Sequence, residues 1–201
     1  MEQIALPGLR MEPEVLRPRV LPIGLLDLEW ITRLFPVRPA RCRRVVLMFT
    51  DVAGFTAHAA RAGDRAATRL LHRHDAVVLP AVRHHGGRIV KRLGDGLMLA
   101  FNAPADAVGA ALAIQHAVRR RIGLALRIGI HTGLARLRDG DLVGHDVNVA
   151  SRITDRARGG ETMVSGAVQA AGGCLGARFR RARPLVLPGR APLPLFYLDE
   201  S

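Results

Sequence analysis

Cysteine is scarce in this chain. Its 201 residues contain two, Cys42 and Cys174, too few for a disulfide framework or a structural zinc site. Neither has an assigned role. Aromatic residues make up 4%, which leaves no obvious base-stacking surface. The longest apolar runs, such as Val20 to Leu26, stop well short of the roughly 18 residues that a membrane span needs. Glu2 and a proline-spotted opening do not read as a secretory signal. Internal repeats and low-complexity tracts are absent. Lysine occurs once: among 30 Lys+Arg, only Lys91 is lysine. A cytoplasmic protein with no transmembrane segment is the expectation.

What the chain does have is enough apolar material for a packed core, 49% hydrophobic against 23% charged residues. The length suits one domain with a small extension. Net charge is +13, which raises nucleic acid, an acidic membrane surface or an anionic substrate as partners. The arginines are spread out, with short runs only at Arg119 to Arg121 and Arg178 to Arg183. With the low aromatic content, this argues against nucleic-acid binding.

Residues 1–43 form an extension of unassigned role, marked by Pro7, Pro13, Pro18, Pro22, Pro36 and Pro39, with one helix-compatible piece from Leu25 to Phe35. Asp27, Glu29 and Arg33 make that piece a poor membrane face. From residue 44 to 198 the pattern is that of a compact domain. Val45 to Phe49 predicts a buried strand, and Gly63 to His85 a helix ended by Gly86-Gly87. Arg88 to Lys91 and Leu97 to Phe101 predict a hairpin around Gly94-Asp95-Gly96. Pro104 opens a helix to about Arg121. Leu124 to Ile130 predicts a strand, and Asp139-Gly140 the turn of a second hairpin. His145 to Arg158 predicts a helix opened by Asp146 near the cap. A strand at Thr162 to Val164, a short helix, and strand candidates near Arg178, Leu185 and Leu195 to Leu198 complete the domain. Strand–helix–hairpin–helix–strand is a ferredoxin-like βαββαβ core with additional C-terminal elements, an α/β (α+β) fold.

Three segments carry chemistry. In Phe49-Thr50-Asp51-Val52-Ala53-Gly54-Phe55-Thr56 an apolar strand ends in a carboxylate and a glycine turn follows. The carboxylate suits a hard cation, and the turn's N–H groups suit phosphate oxygens; taken alone, an Asp ending a strand is more often a cap. In Lys91-Arg92-Leu93-Gly94-Asp95-Gly96 a carboxylate stands at a hairpin tip, which is also ordinary turn chemistry. A ferredoxin-like sheet makes these two segments neighbours, and two converging carboxylates repel unless a cation lies between them. In Asp141-Leu142-Val143-Gly144-His145-Asp146-Val147-Asn148-Val149-Ala150-Ser151-Arg152, Asn148 and Arg152 share a helical face. They form either an anion-binding pair or a solvated surface. His131 and the cluster His72, His74, His84 and His85 read as scattered surface histidines rather than a metal or pH-sensing site.

Together the three segments resemble the class III adenylyl/guanylyl cyclase catalytic domain. The likeness runs from about Arg44 to Leu198 and includes Ile128-Gly129-Ile130-His131-Thr132-Gly133 and the tail from Leu187-Pro188-Gly189-Arg190 to Phe196-Tyr197-Leu198. The resemblance implies that Asp51 and Asp95, with Val52 beside them, hold two Mg²⁺ or Mn²⁺ per active site. Gly54, Phe55 and Thr56 would meet the substrate's phosphates. Lys91 and Asp141 match the pair that selects adenine, Asn148 the residue that orients the ribose, and Arg152 the arginine that stabilises phosphate charge. It implies an adenylyl cyclase that converts ATP to cyclic AMP and pyrophosphate in a homodimer, metals coming from one protomer and the other four residues from its partner. Pro188 stands where some members carry a phosphate-contacting lysine. That departure keeps a second expectation open, a weak or inactive nucleotide-binding regulatory module.

Overall fold

The computed structural model describes residues 42–172 and 177–199. The helix-compatible piece from Leu25 to Phe35, nearly all of the 1–43 extension, and Cys174 lie outside the described residues.

Thirteen elements follow in chain order: β1 (Cys42–Val52), α1 (Phe55–Ala62), α2 (Asp64–His84), β2 (Arg88–Leu93), β3 (Gly96–Phe101), α3 (Pro104–Ile122), β4 (Leu126–Arg138), β5 (Asp141–Val143), α4 (His145–Arg156), β6 (Thr162–Ser165), α5 (Gly166–Gly172), β7 (Arg178–Leu185) and β8 (Leu193–Asp199). One sheet runs in the order β2-β3-β1-β4-β6-β8-β7, with β5 paired to β4. The first four strands in that order are the ferredoxin-like core. Among the described residues, no helix is long and apolar enough to cross a membrane.

The middle of the sheet is buried on both faces, and β1 shows how the sequence achieves it. Side chains alternate along a strand. Val46 and Met48 therefore enter a core cluster with Leu99, Phe101 and Ile130 of the sheet and Val78, Val82, Val108 and Ile114 of α2 and α3. Leu47 and Phe49 point the other way, to Met98, Ala100, Leu142 of β5, and Val147 and Ala150 of α4. A central strand with helices on either face must be apolar at every position. Each fully buried Leu or Met there contributes about 1.5–3 kcal/mol of transfer free energy.

Several elements differ from the sequence expectation for identifiable reasons. β1 begins at Cys42 and ends at Val52, so it outruns the apolar run at both ends. Its exposed arginines pair through the backbone with β4, Arg44 opposite Leu134. One expected helix is preceded by another, because Gly63 adopts φ 77, ψ 166 and breaks α1 from α2 where an L side chain would be strained. β4 extends to Arg138, since its outer half is held by pairing with β1 and β5 rather than by burial. The candidates near Arg178 and Leu185 are the two ends of one strand, β7. Pro184 is tolerated in it because β7 is a sheet edge and its register shifts between Ala182 and Leu185. Asp146 does not cap α4: its carboxylate accepts from the Leu134 N–H of β4 at 2.6 Å. His74 and His131 are buried, not surface histidines as expected.

Candidate active site

The end of β1 and the β2–β3 turn meet because of one glycine. A Cβ on Gly96 would stand 2.2 Å from the Thr50 carbonyl oxygen. Only glycine permits that approach, and it brings the turn that carries Asp95 against the strand that carries Asp51. Two hydrogen bonds seal the junction. The Thr50 Oγ1 accepts from the Leu97 N–H at 3.2 Å, and the Asp95 Oδ2 accepts from the Val52 N–H at 3.1 Å. Asp51 precedes Val52 on the same strand.

Asp51 is itself paired. Directly across the ladder from it is Arg127 of β4, whose Nε donates to Asp51 Oδ2 at 2.7 Å. The Arg127 Nη2 donates to the same oxygen. Beyond β1 the chain turns at Gly54 (φ 75) into α1, which opens at Phe55 with Thr56 next. Their N–H groups lie in the first turn, where the helix leaves donors free for anions. Phe55 also packs on the larger core cluster. A cavity of about 420 Å³ lies beside this turn, lined by Val52, Gly54, Phe55, His58, Arg61 and Leu124 among others.

Fifty residues of chain separate Lys91 and Asp141, yet Lys91 Nζ donates to Asp141 Oδ2 at 2.6 Å. Asp141 is steadied by the Leu142 N–H, which donates to its other oxygen at 2.7 Å. Asn148 and Arg152 lie four residues apart on α4, both exposed. No hydrogen bond or ion pair within the described residues joins Asp51 or Asp95 to Lys91, Asp141, Asn148 or Arg152. Asp51 and Asp95 both lie at the end of β1 but bond to different partners, Lys91 and Asp141 pair with each other, and Asn148 and Arg152 are exposed.

At the start of α4 a cavity of about 410 Å³ is lined by His131, His145, Asp146, Val149, Arg190 and Leu193 among others. His131 Nδ1 lies 2.9 Å from Ser165 Oγ. Burial holds the His131 imidazole below its ordinary pKa; the Asp146 charge opposes that shift and His145 adds to it. Arg190 supplies the cavity with positive charge near Pro188.

Among the described residues, no group of three or more His, Cys, Asp or Glu is placed to hold a metal ion. Two carboxylates lie at this end of β1, Asp51 on the strand and Asp95 bonded to the Val52 N–H, and carboxylate donors fit Mg²⁺ or Mn²⁺. Such ions take one or two carboxylates and complete their shell with water and substrate phosphates. That a guanidinium lies on Asp51 agrees with a position where positive charge is favoured. Arg127 was not singled out from sequence: only the β1–β4 register distinguishes it from the other arginines.

The chain belongs to the adenylate and guanylate cyclase catalytic domain family, whose model matches residues 37–200. It is 37% identical over 154 residues to an uncharacterized Mycobacterium tuberculosis protein, covering 74% of this chain and 51% of that one. With a putative adenylate cyclase of Rhizobium meliloti it shares 33% identity over 132 residues, 62% of this chain and 22% of the relative. A solved adenylate/guanylate cyclase/hydrolase structure from Silicibacter pomeroyi matches with a TM-score of 0.71 at 26% identity, covering 80% of this chain and 99% of that one. The chain spans about a fifth of one curated relative it matches, a Myxococcus xanthus serine/threonine-protein kinase, and about half of the Mycobacterium tuberculosis protein. Structures of similar fold include adenylyl and guanylyl cyclases, so the fold does not choose between the two bases.

Proposed function

We propose that this domain is an adenylyl cyclase that converts ATP to 3′,5′-cyclic AMP and pyrophosphate at sites shared by two copies of the chain. The observation that carries the reading is the 2.6 Å pair between Lys91 and Asp141. It sets a cationic donor beside an anionic acceptor. Adenine presents N1 as acceptor and its N6 amino group as donor, which Lys91 and Asp141 complement. Guanine presents the reverse at those two atoms and meets repulsion.

Divalent cations held by Asp51, Asp95 and the Val52 carbonyl would acidify the ribose 3′-hydroxyl and neutralise charge on the triphosphate. The turn N–H groups at Gly54, Phe55 and Thr56 bind phosphate oxygens. Asn148 orients the ribose so that the 3′-oxygen lies in line with the α-phosphorus. That oxygen forms the new P–O bond, the bond to the bridging oxygen breaks, and pyrophosphate departs. Arg152 stabilises the charge that builds during this exchange. Arg190 meets the leaving phosphates, in the loop where Pro188 replaces a possible lysine.

Within one copy no hydrogen bond or ion pair among the described residues links the aspartates to Lys91, Asp141, Asn148 or Arg152, which supports a shared site. The strands that carry Lys91 and Asp141 also expose apolar side chains: Ile89 and Leu93 on β2 and Val143 on β5, with Leu134 and Leu137 on adjoining β4. Such a surface around functional polar groups suits a second copy.

The test incubates purified protein with Mn²⁺ and equal ATP and GTP and measures both cyclic products. Cyclic AMP in excess supports the reading; cyclic GTP-derived product in excess overturns the base assignment. Pro188 favours one second reading, a nucleotide-binding module of little activity, which would bind ATP under the same conditions and yield no product.

A further inference from the structure

Lys91 and Arg92 are consecutive cations on β2, and the strand sends them to opposite faces of the sheet. The ladder with β3 is irregular: Ile89 stands opposite Leu99, yet Lys91 stands opposite Met98, so Val90 is an extra residue between them. Such a bulge re-aims the side chains beyond it. Cross-strand partners share a face. Met98 belongs to the cluster of Leu142 and α4, and Lys91 accordingly reaches Asp141 of β5 at 2.6 Å. Leu97 belongs to the cluster of α2 and α3, and Arg92, opposite it, turns to α2. There its Nη2 donates to Asp75 Oδ2 at 2.7 Å and its Nη1 to Asp75 Oδ1 at 3.2 Å, a two-pronged fit that a guanidinium makes and an ammonium does not. Asp75 is steadied in turn by the fully buried His74, whose Nδ1 lies 3.1 Å from Asp75 Oδ1. A regular ladder would continue from Ile89 with Val90 opposite Met98, Lys91 opposite Leu97 and Arg92 opposite Gly96. That slip of one residue exchanges the faces: Lys91 would face α2 and Arg92 would face Asp141.

We propose that Asp75 and Arg92 are a register lock for base recognition: their paired bonds on the α2 face hold β2 in the bulged register and so present Lys91, rather than Arg92, to Asp141 and the base. The inference rests on the reading of Lys91 and Asp141 as the base-selecting pair. Both lock residues act through Lys91 and are positioning residues. A bulge leaves one residue of the strand unpaired, and bonds that exist only in the bulged register offset that loss. Asp75–Arg92 and Lys91–Asp141 are both of this kind, one on each face of the sheet. A clasp that merely fastened α2 to β2 would affect stability alone. A register lock also decides where Lys91 points.

The test uses the single lysine of the chain. The full chain, labelled with ¹³C at lysine Cε and ¹⁵N at Nζ, gives one side-chain lysine resonance, which reports the pairing of Lys91 without nucleotide. Steady-state kinetics with ATP and GTP report base choice. Asp141→Asn marks the position of the unpaired resonance. Asp75→Asn and Arg92→Gln are each expected to displace the wild-type resonance toward that position. Each should also lower the kcat/KM ratio for ATP over GTP about threefold, the worth of one partly exposed ion pair. Deleting Val90 in the Asp75→Asn protein should restore both readouts, because an unbulged ladder then sets Lys91 opposite Met98. Loosening of α2 alone would not be cured by shortening β2. A resonance that stays at the wild-type position in Asp75→Asn and Arg92→Gln overturns the lock, as does a displacement that the deletion fails to reverse. A displaced and restored resonance with an unchanged nucleotide ratio supports the lock and refutes the base reading beneath it. Should the shortened protein not fold, backbone nuclear Overhauser contacts decide: Lys91 still against Met98 in Asp75→Asn overturns the proposal, and Lys91 against Leu97 supports it.

Discussion

Lys91 Nζ lies 2.6 Å from Asp141 Oδ2, and that single contact ties the edge strand β2 to the short strand β5. β5 pairs with β4 in the sheet, and its Leu142 packs with Leu47 and Phe49 in the core. The pair therefore fixes the arm formed by β4 and β5 against the sheet edge while keeping a donor and an acceptor side by side. If it reads the base, changing its charges changes the base that is accepted. Lys91→Glu is expected to lower the ratio of kcat/KM for ATP over GTP by about tenfold or more, since like charges now face adenine N1. Steady-state kinetics with both nucleotides measure it, and an unchanged ratio refutes the role.

Arg152 makes no ion pair within the described residues and stands exposed on α4. An exposed arginine serving only the fold would be replaceable. Arg152→Ala should lower kcat by about 10² to 10³, as loss of one transition-state donor does, with little change in KM and none in the unfolding midpoint. A matching loss of stability would assign it to the fold instead.

Gly96 should tolerate no side chain. The Cβ of an alanine there would lie 2.2 Å from the Thr50 carbonyl oxygen, which is backbone and cannot swing away. Gly96→Ala is expected to cost about 1–3 kcal/mol by overpacking and to shift the Asp95 turn off β1. Urea unfolding gives the first quantity. Thr50→Val leaves the buried Leu97 N–H without its acceptor and should cost about 1–3 kcal/mol in the same assay.

Acid should weaken the fold before the carboxylates titrate. Burial holds His131 below its ordinary value of 6.5, so the unfolded chain takes up a proton more readily than the folded one. Stability is then complete above pH 6.5 and falls as the pH drops below it toward the folded-state value. Asp146 and His145 modulate that shift, with Ser165 and Arg190 also facing the ring's surroundings. Burial and the charge of His84 act on His85 in the same direction. Asp75 behaves otherwise: burial raises it, but its bonds to Arg92 and His74 outweigh burial and hold it below 3.8, so its contribution persists to lower pH. His131→Gln should show a flatter decline of the unfolding midpoint between about pH 7 and 5. Equal slopes for the two proteins would contradict this.

Much of the fold was legible because the relevant signals are local. The unbroken apolar run in β1, Pro104 at the start of α3 and Gly94-Asp95-Gly96 at a hairpin tip each state a backbone requirement within a few residues. The second hairpin was legible from Asp139-Gly140, which joins β4 to β5, but not that its first strand runs unbroken from Leu126 to Arg138, since that continuity comes from pairing with β1 and β5. The separation of α1 from α2 hangs on one glycine within a continuous helical composition. At the candidate site, Asp51, Asp95, Lys91 and Asp141 stood out through motif and spacing. Arg127 did not, since its meaning lies in a cross-strand register, and nothing in a chain rich in arginine marks one of them. The buried state of His131 and His74 was likewise hidden, because burial of a polar ring depends on what closes over it.

If two copies of this chain complete one another's cyclase sites, subunit complementation shows it most directly. Asp51→Asn removes the metal side and Arg152→Ala the phosphate side, so each variant alone should be inactive. Mixed and allowed to exchange, half of the dimers pair one of each, and each such dimer regains one intact site. The mixture should therefore recover about a quarter of wild-type cyclic AMP formation. Activity no greater than the sum of the two separate variants, alongside an active wild type, would contradict the shared site.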